Sequence, residues 1–142
     1  VGVSSAIPEL LSQVEHLVSR RVEAALGADG PTLDQWRVLT HLADGDGHPM
    51  SEIAARAMVP APTLTKIVDR LVDRALVYRR VDDADRRRVL VFLSDHGKAE
   101  HARLAPAVAA VGESLATELG TEAGLLAELL ERVRKPLSSA LP

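Results

Sequence analysis

SEIAARAMVPAPTLTKIVDRLVDRALVYRRVDDADRRRVLVFL, residues 51–93, decides how the rest of the chain is read. In its middle, Leu64, Ile67, Val68 and Leu71 recur at three- and four-residue spacing and form one apolar stripe of a helix over about Ala61–Arg74. Thr63, Lys66, Arg70 and Asp73 fall on another face. A helix with its back in a core and Thr, Lys and Arg outward suits a DNA major groove, although an ordinary surface helix shows the same pattern. Ahead of it, Ser51 is expected to cap a short helix from Glu52 to about Ala57, and MVPAP at 58–62 makes the turn. Pro62 fits a first helical turn, where no backbone bond is lost. Behind it, Val77–Val81 and Val89–Leu93 are short, β-branched and alternating, so they read as a hairpin. The polar DDADRRR between them becomes a protruding loop.

Charge supports a nucleic-acid role for this block. The chain has 142 residues and a net charge of −3, with 17 Lys/Arg and 20 Asp/Glu. Nine of the basic and six of the acidic residues lie in 51–90, so a basic centre is flanked by acidic ends. There is no cysteine, which excludes disulfides, thiolate metal sites and thiol redox switching. No apolar run approaches the roughly 20 residues that span a bilayer, and no signal-peptide pattern opens the sequence. A cytoplasmic protein without membrane partners is the expectation.

The flanks read as helices. Residues 1–7 look like a loose start, with Pro8 in the first turn of a helix to about Leu26. Leu10, Leu11, Val14, Leu17, Val18, Val22 and Ala25 form a wide apolar band on it. GADGP at 27–31 breaks this helix, and Thr32 with Gln35 matches a capping box for the next. Trp36, Leu39, Leu42 and Ala43 should line that helix's buried side, and DGDGHP at 44–49 reads as a loop. Ser94 should cap a long helix, Asp95 to Leu119, and a last helix from Glu122 to about Ser138 carries Leu125, Leu126, Leu129, Leu130 and Val133. These terminal helices hold more apolar surface than a small core can cover. That surplus points to an interface, most simply a two-fold homodimer.

The order of elements, and the block PTLTKIVDRLVDRALVYRRVDDADRRRVLVFLSDHGKA at 62–99, resembles the MarR (multiple antibiotic resistance regulator) family of winged-helix transcription regulators. The carrying parts are Asp69-Arg70-Leu71, Leu76-Val77, Asp85-Arg86-Arg87 and Ser94–Gly97. By layout the resemblance covers most of the chain, by motif about 40 residues. Two positions depart from the family pattern. Ala75 stands where glycine is usual, implying a less left-handed helix exit, and Pro60 stands where a serine-like cap is common. The resemblance implies a mainly α protein: a winged helix-turn-helix with a small β-hairpin wing, plus terminal helices for dimerisation. It divides the chain into an N-terminal dimerisation helix (1–31), a DNA-binding domain (32–93) and C-terminal dimerisation helices (94–142).

The resemblance also implies site residues. Thr63, Thr65, Lys66 and Arg70 would meet bases or phosphates, Ala61 and Pro62 would give apolar contact, and Ser51 would touch a phosphate. Arg86, flanked by Arg87, would enter the minor groove, with Asp85 or Asp69 pinning a wing arginine. The resemblance further implies double-stranded DNA carrying a palindromic operator as the partner, and repression relieved by a small aromatic or anionic effector. His16, Trp36 and His41 would lie near the effector pocket, although Trp36 also suits plain core. The five histidines show no metal-ligand spacing, so neither metal nor cofactor is expected. No phosphate loop, HExxH or Gly-x-Ser-x-Gly is present, which argues against an enzyme. The competing reading is a winged-helix module for protein–protein contact; a DNA reader needs Arg86–Arg88 free, whereas such a module does not.

Overall fold

Thr32 and Gln35 satisfy each other's backbone as the capping box requires. The Gln35 N–H donates to Thr32 Oγ1 at 3.2 Å and the Thr32 N–H donates to Gln35 Oε1 at 3.1 Å. This start fixes α2 (Leu33–His41) and aims Val38 and Leu39 inward. The computed structural model describes residues 2–139. Around α2 it places α1 (Val3–Leu26), α3 (Met50–Ala57), α4 (Ala61–Asp73), α5 (Asp95–Leu119) and α6 (Ala123–Ser139). Three short strands complete it: β1 (His48–Pro49), β2 (Val77–Val81) and β3 (Val89–Leu93). They form one antiparallel sheet in the order β1-β3-β2. The chain divides into two compact units, one reaching Val108 and one beginning at Ala109, so α5 belongs to both.

The first unit holds the core. Leu64, Ile67, Val68 and Leu71 of α4 are buried with Val38, Leu39, Leu42, Ile53, Leu76, Val77, Val91 and Leu93. A second cluster, Leu26, Trp36 and Leu104, ties α1 and α2 to the first half of α5. The α4 stripe is therefore the back of the helix, as its spacing predicts, and Thr63, Thr65, Lys66, Asp69 and Arg70 are all exposed.

Several expectations require correction. Helix α1 begins at Val3 rather than Pro8, which lies inside it. This proline removes a single bond near the helix start, where few intrahelical bonds exist to lose. Helix α3 begins at Met50 with Pro49 as its cap, so Ser51 sits within the first turn and caps nothing. The reason is that His48 and Pro49 are not loop: they pair with Val91 and Leu90 of β3, and the helix follows immediately. Ala43 is exposed because α2 gives way to a 3-10 turn over Leu42–Asp44.

The exit from α4 is also sharper than expected. Ala75 has φ 60°, fully left-handed despite its Cβ. The Leu76 N–H donates to Leu71 O and the Ala75 N–H to Val72 O, both at 2.9 Å. These two bonds are a Schellman closure, and buried Leu71 and Leu76 supply its apolar contact. Ala75→Gly relieves the left-handed strain, partly offset by extra freedom in the unfolded chain. We expect a gain of about 0.5–1 kcal/mol, read as a higher urea midpoint at unchanged slope.

In the second unit no side chain is buried among the described residues. Leu125, Leu126, Leu129, Leu130, Val133 and Leu137 of α6 are exposed. Leu10, Leu11, Val14 and Leu17 of α1 are exposed as well. The end of the expected C-terminal dimerisation segment, residues 140–142, lies outside the described residues.

Candidate nucleic-acid interface

Two walls of the candidate interface come from α4. Thr63, Lys66, Ile67 and Arg70 border a hollow with Thr32, Asp34 and Gln35 at the start of α2. On another side of the helix, Asp69 accepts a hydrogen bond from the Arg79 guanidinium on β2. Asp69 was one of two carboxylates expected to hold a wing arginine, and it does; the arginine it holds, Arg79, carried no sequence signal because its place on the hairpin face depends on register. Ala61 and Pro62 are exposed at the start of α4, and Ser51 is exposed in the first turn of α3. Thr65 Oγ1 donates back to Ala61 O at 3.2 Å, which leaves its oxygen lone pairs free to accept.

The wing is an ordered turn rather than a bare loop. Asp82 Oδ1 accepts from the Ala84 N–H at 3.0 Å, and Asp85 Oδ1 from the Arg87 N–H at 3.1 Å. The Arg88 N–H donates to Asp85 O at 2.9 Å and the Asp82 N–H to Arg88 O at 3.0 Å, closing the loop. Carboxylates also stand near the arginines: Asp85 lies 3.4 Å from Arg87, Asp82 3.7 Å from Arg88 and Asp83 3.9 Å from Arg80. These are weak pairs, each with an exposed arginine, and Asp82 is their most covered member. Arg86 has no ion-pair partner among the described residues and is exposed near the tip. Tyr78 and Phe92 stack across the base of the hairpin with centroids 5.3 Å apart. Phe92 also covers Gly47, where an added Cβ would fall 2.3 Å from the ring.

The expected effector residues separate. Trp36 is buried and stacks on His101, centroids 4.6 Å apart and 11° from parallel; burial lowers the His101 pKa. Trp36 and His41 border an open hollow with Arg37, Thr40 and Arg56. His16 is exposed on α1 and does not line it.

Spacing gave no sign of one further cluster. His41 at the end of α2, His48 in β1 and Glu52 in α3 bring ligand atoms within 4.8 Å of one another. His48 Nδ1 lies 2.9 Å from Glu52 and its Nε2 lies 2.8 Å from Asp44. Burial pulls the His48 pKa down, but the hydrogen bonds with the Glu52 and Asp44 carboxylates outweigh it and leave it above the ordinary value. Burial, then the neighbouring His48, lowers that of His41.

With this geometry in place, the comparisons with known proteins are consistent. The MarR family profile matches residues 29–88. The regulator TtmR of Methylorubrum extorquens, an HTH-type transcriptional regulator, is 32% identical over 83 residues, 58% of this chain and 43% of that protein. The chain thus matches less than half the length of that relative. The HTH-type transcriptional regulator FarR of Neisseria gonorrhoeae is 28% identical over 116 residues, 82% of this chain and 80% of that one. Among solved structures, the transcriptional repressor CouR bound to a 23-mer DNA duplex is 26% identical with a TM-score of 0.78, covering 94% of each chain. The fold is the winged helix-turn-helix of these transcription regulators. The chain's winged-helix block is similar to that of the MarR family over the matched residues 29–88. No helix among the described residues is long and apolar enough to cross a membrane.

The Asp69–Arg79 pair joins recognition helix to wing, and both side chains remain partly exposed. A double-mutant cycle with Asp69→Asn and Arg79→Gln should return a coupling of about 0.2–1 kcal/mol in urea unfolding. A coupling of zero would show that the wing is not held by this pair.

Proposed function

We propose that this chain is a dimeric repressor that reads a palindromic operator and is released by a small anionic or aromatic molecule, acting in the cytoplasm. The carrying observation is one exposed surface. The outer face of α4, with Thr63, Thr65, Lys66 and Arg70, is exposed together with Arg86 on the wing. Arg70 can grip guanine at two atoms, the threonines can bond base edges or touch a thymine methyl, and Lys66 suits a phosphate. Arg86 suits the narrow minor groove of an A·T tract, with Arg87 on the adjacent backbone. Ser51, Ala61 and Pro62 frame this contact. The duplex-bound state of CouR supports the same docking here.

Dimerisation rests on the apolar faces of α1 and α6, which the single chain leaves exposed. On this reading 1–31 and 94–142 carry the dimer and 32–93 carries DNA binding. Two-fold symmetry then sets the recognition helices about 34 Å apart, one turn of DNA. The effector reading rests on the hollow beside Trp36 and His41, where Arg37 and Arg56 offer guanidinium groups to a carboxylate. A ligand there would favour one spacing of the recognition helices over another.

The operator is obtained by selecting bound sequences from random DNA. Arg86→Ala should leave folding intact and cost about 1–3 kcal/mol of operator affinity. The slope of affinity against salt should also flatten by about one unit. Arg103→Ala is the control: that side chain pairs with Glu100 on α5, away from the wing. Anisotropy at several salt concentrations reads both. If Arg86→Ala binds like the parent at every salt, the protein-contact reading of the wing replaces this one.

Assembly has its own test. Leu129→Glu forces a carboxylate into an apolar seam, so sedimentation should show monomer or aggregate in place of dimer. A dimer of unchanged stability in this variant would remove α6 from the interface.

A further inference from the structure

His41, His48 and Glu52 are brought together by the fold rather than by spacing, and their geometry suits a task outside DNA contact. His41 Nε2 is buried without a hydrogen-bond partner. It lies 3.9 Å from Glu52 Oε1, and the other oxygen of that carboxylate lies 2.9 Å from His48 Nδ1. The two imidazole rings lie with centroids 4.3 Å apart, tilted 44° to one another. We propose that His41 Nε2, His48 Nδ1 and the Glu52 carboxylate bind a divalent transition metal, with Zn2+ the best fit.

The donor set selects the metal. Two imidazoles and one carboxylate suit zinc and its neighbours, whereas magnesium and calcium require oxygen cages. Zinc holds such ligands at about 2.0–2.2 Å, so small rotamer shifts of atoms already within 4.8 Å close the site. The ion replaces the proton between His48 Nδ1 and Glu52. Asp44, 2.8 Å from His48 Nε2, stays as the acceptor that orients the ring, the arrangement that supports metal-bound histidines elsewhere. Glu52 and Asp44 together offset the charge of the dication. His41 also borders the hollow with Trp36, Thr40 and Arg56, which supplies an entry path. A water or anion there can fill the fourth position. The three ligands come from α2, β1 and α3, so the ion fastens together the elements that seat the recognition helix.

The test uses the full chain, stripped of metal with chelator and titrated with ZnCl2 without DNA, so that its outcome is separate from that of the operator experiments. Zinc should raise the melting temperature, because a ligand of the folded state stabilises it. His41→Gln and Glu52→Gln should abolish the rise, and Asp44→Asn should weaken apparent affinity about 10- to 100-fold. His16→Gln should behave as the parent. In the unmutated chain, imidazole NMR signals of His41 and His48 should shift with zinc while those of His16 and His96 stay, which holds even where a variant folds poorly. A melting temperature indifferent to zinc, a rise that survives His41→Gln, or unmoved His41 and His48 signals overturns the proposal.

Discussion

The backbone carbonyl of Leu76 is the point on which the winged-helix part of the molecule depends. The Ser94 N–H donates to it at 3.0 Å, and a Cβ at position 97 would sit 2.0 Å from it. Only glycine allows that approach, which makes Gly97 a requirement of packing. One residue earlier, Ala75 O accepts from the Ser94 hydroxyl at 2.6 Å, and the same hydroxyl accepts from the Gly97 N–H at 2.9 Å. The turn from α4 into β2 and the start of α5 are thus fastened at one junction. Because Leu71 and Leu76 are buried there, the direction of α4, and with it the direction of Thr63, Lys66 and Arg70, follows from core packing rather than from surface contacts.

Elements that declare themselves through periodicity were legible in the sequence. The bounds of β2 and β3, the capping box of α2 and the buried stripe of α4 all follow from patterns within a single segment. What the sequence concealed depends on pairing between distant segments. His48 and Pro49 become a strand only because β3 lies beside them, and that displaces the start of α3 and the role of Ser51. The left-handed Ala75 was hidden because residue type argued against it, while two closing hydrogen bonds and the buried Leu71 and Leu76 hold it in place.

The candidate site divides along the same line. Its exposed members on α4 and the wing were legible because charge and position on a helix face are local properties. The partners that hold them were not. Arg79 reaches Asp69 across the hairpin register, and Trp36 stacks on His101 from another helix. His41 and His48, seven residues apart, meet because a 3-10 turn folds the chain back between them. Ligand spacing along a single helix is blind to such an arrangement.

The carboxylates around the wing have a consequence for selectivity. Arg79, Arg80, Arg87 and Arg88 each stand near an aspartate, so much of the hairpin's positive charge is locally offset while Arg86 is not. On the proposed reading, a phosphate approaching Arg79, Arg80, Arg87 or Arg88 also meets a nearby carboxylate, whereas Arg86 has none among the described residues. Attraction becomes substantial only where groove shape lets a guanidinium be reached without displacing its neighbour. If the wing reads DNA as proposed, its acidic residues would act as a mild threshold against casual adhesion, leaving discrimination to geometry.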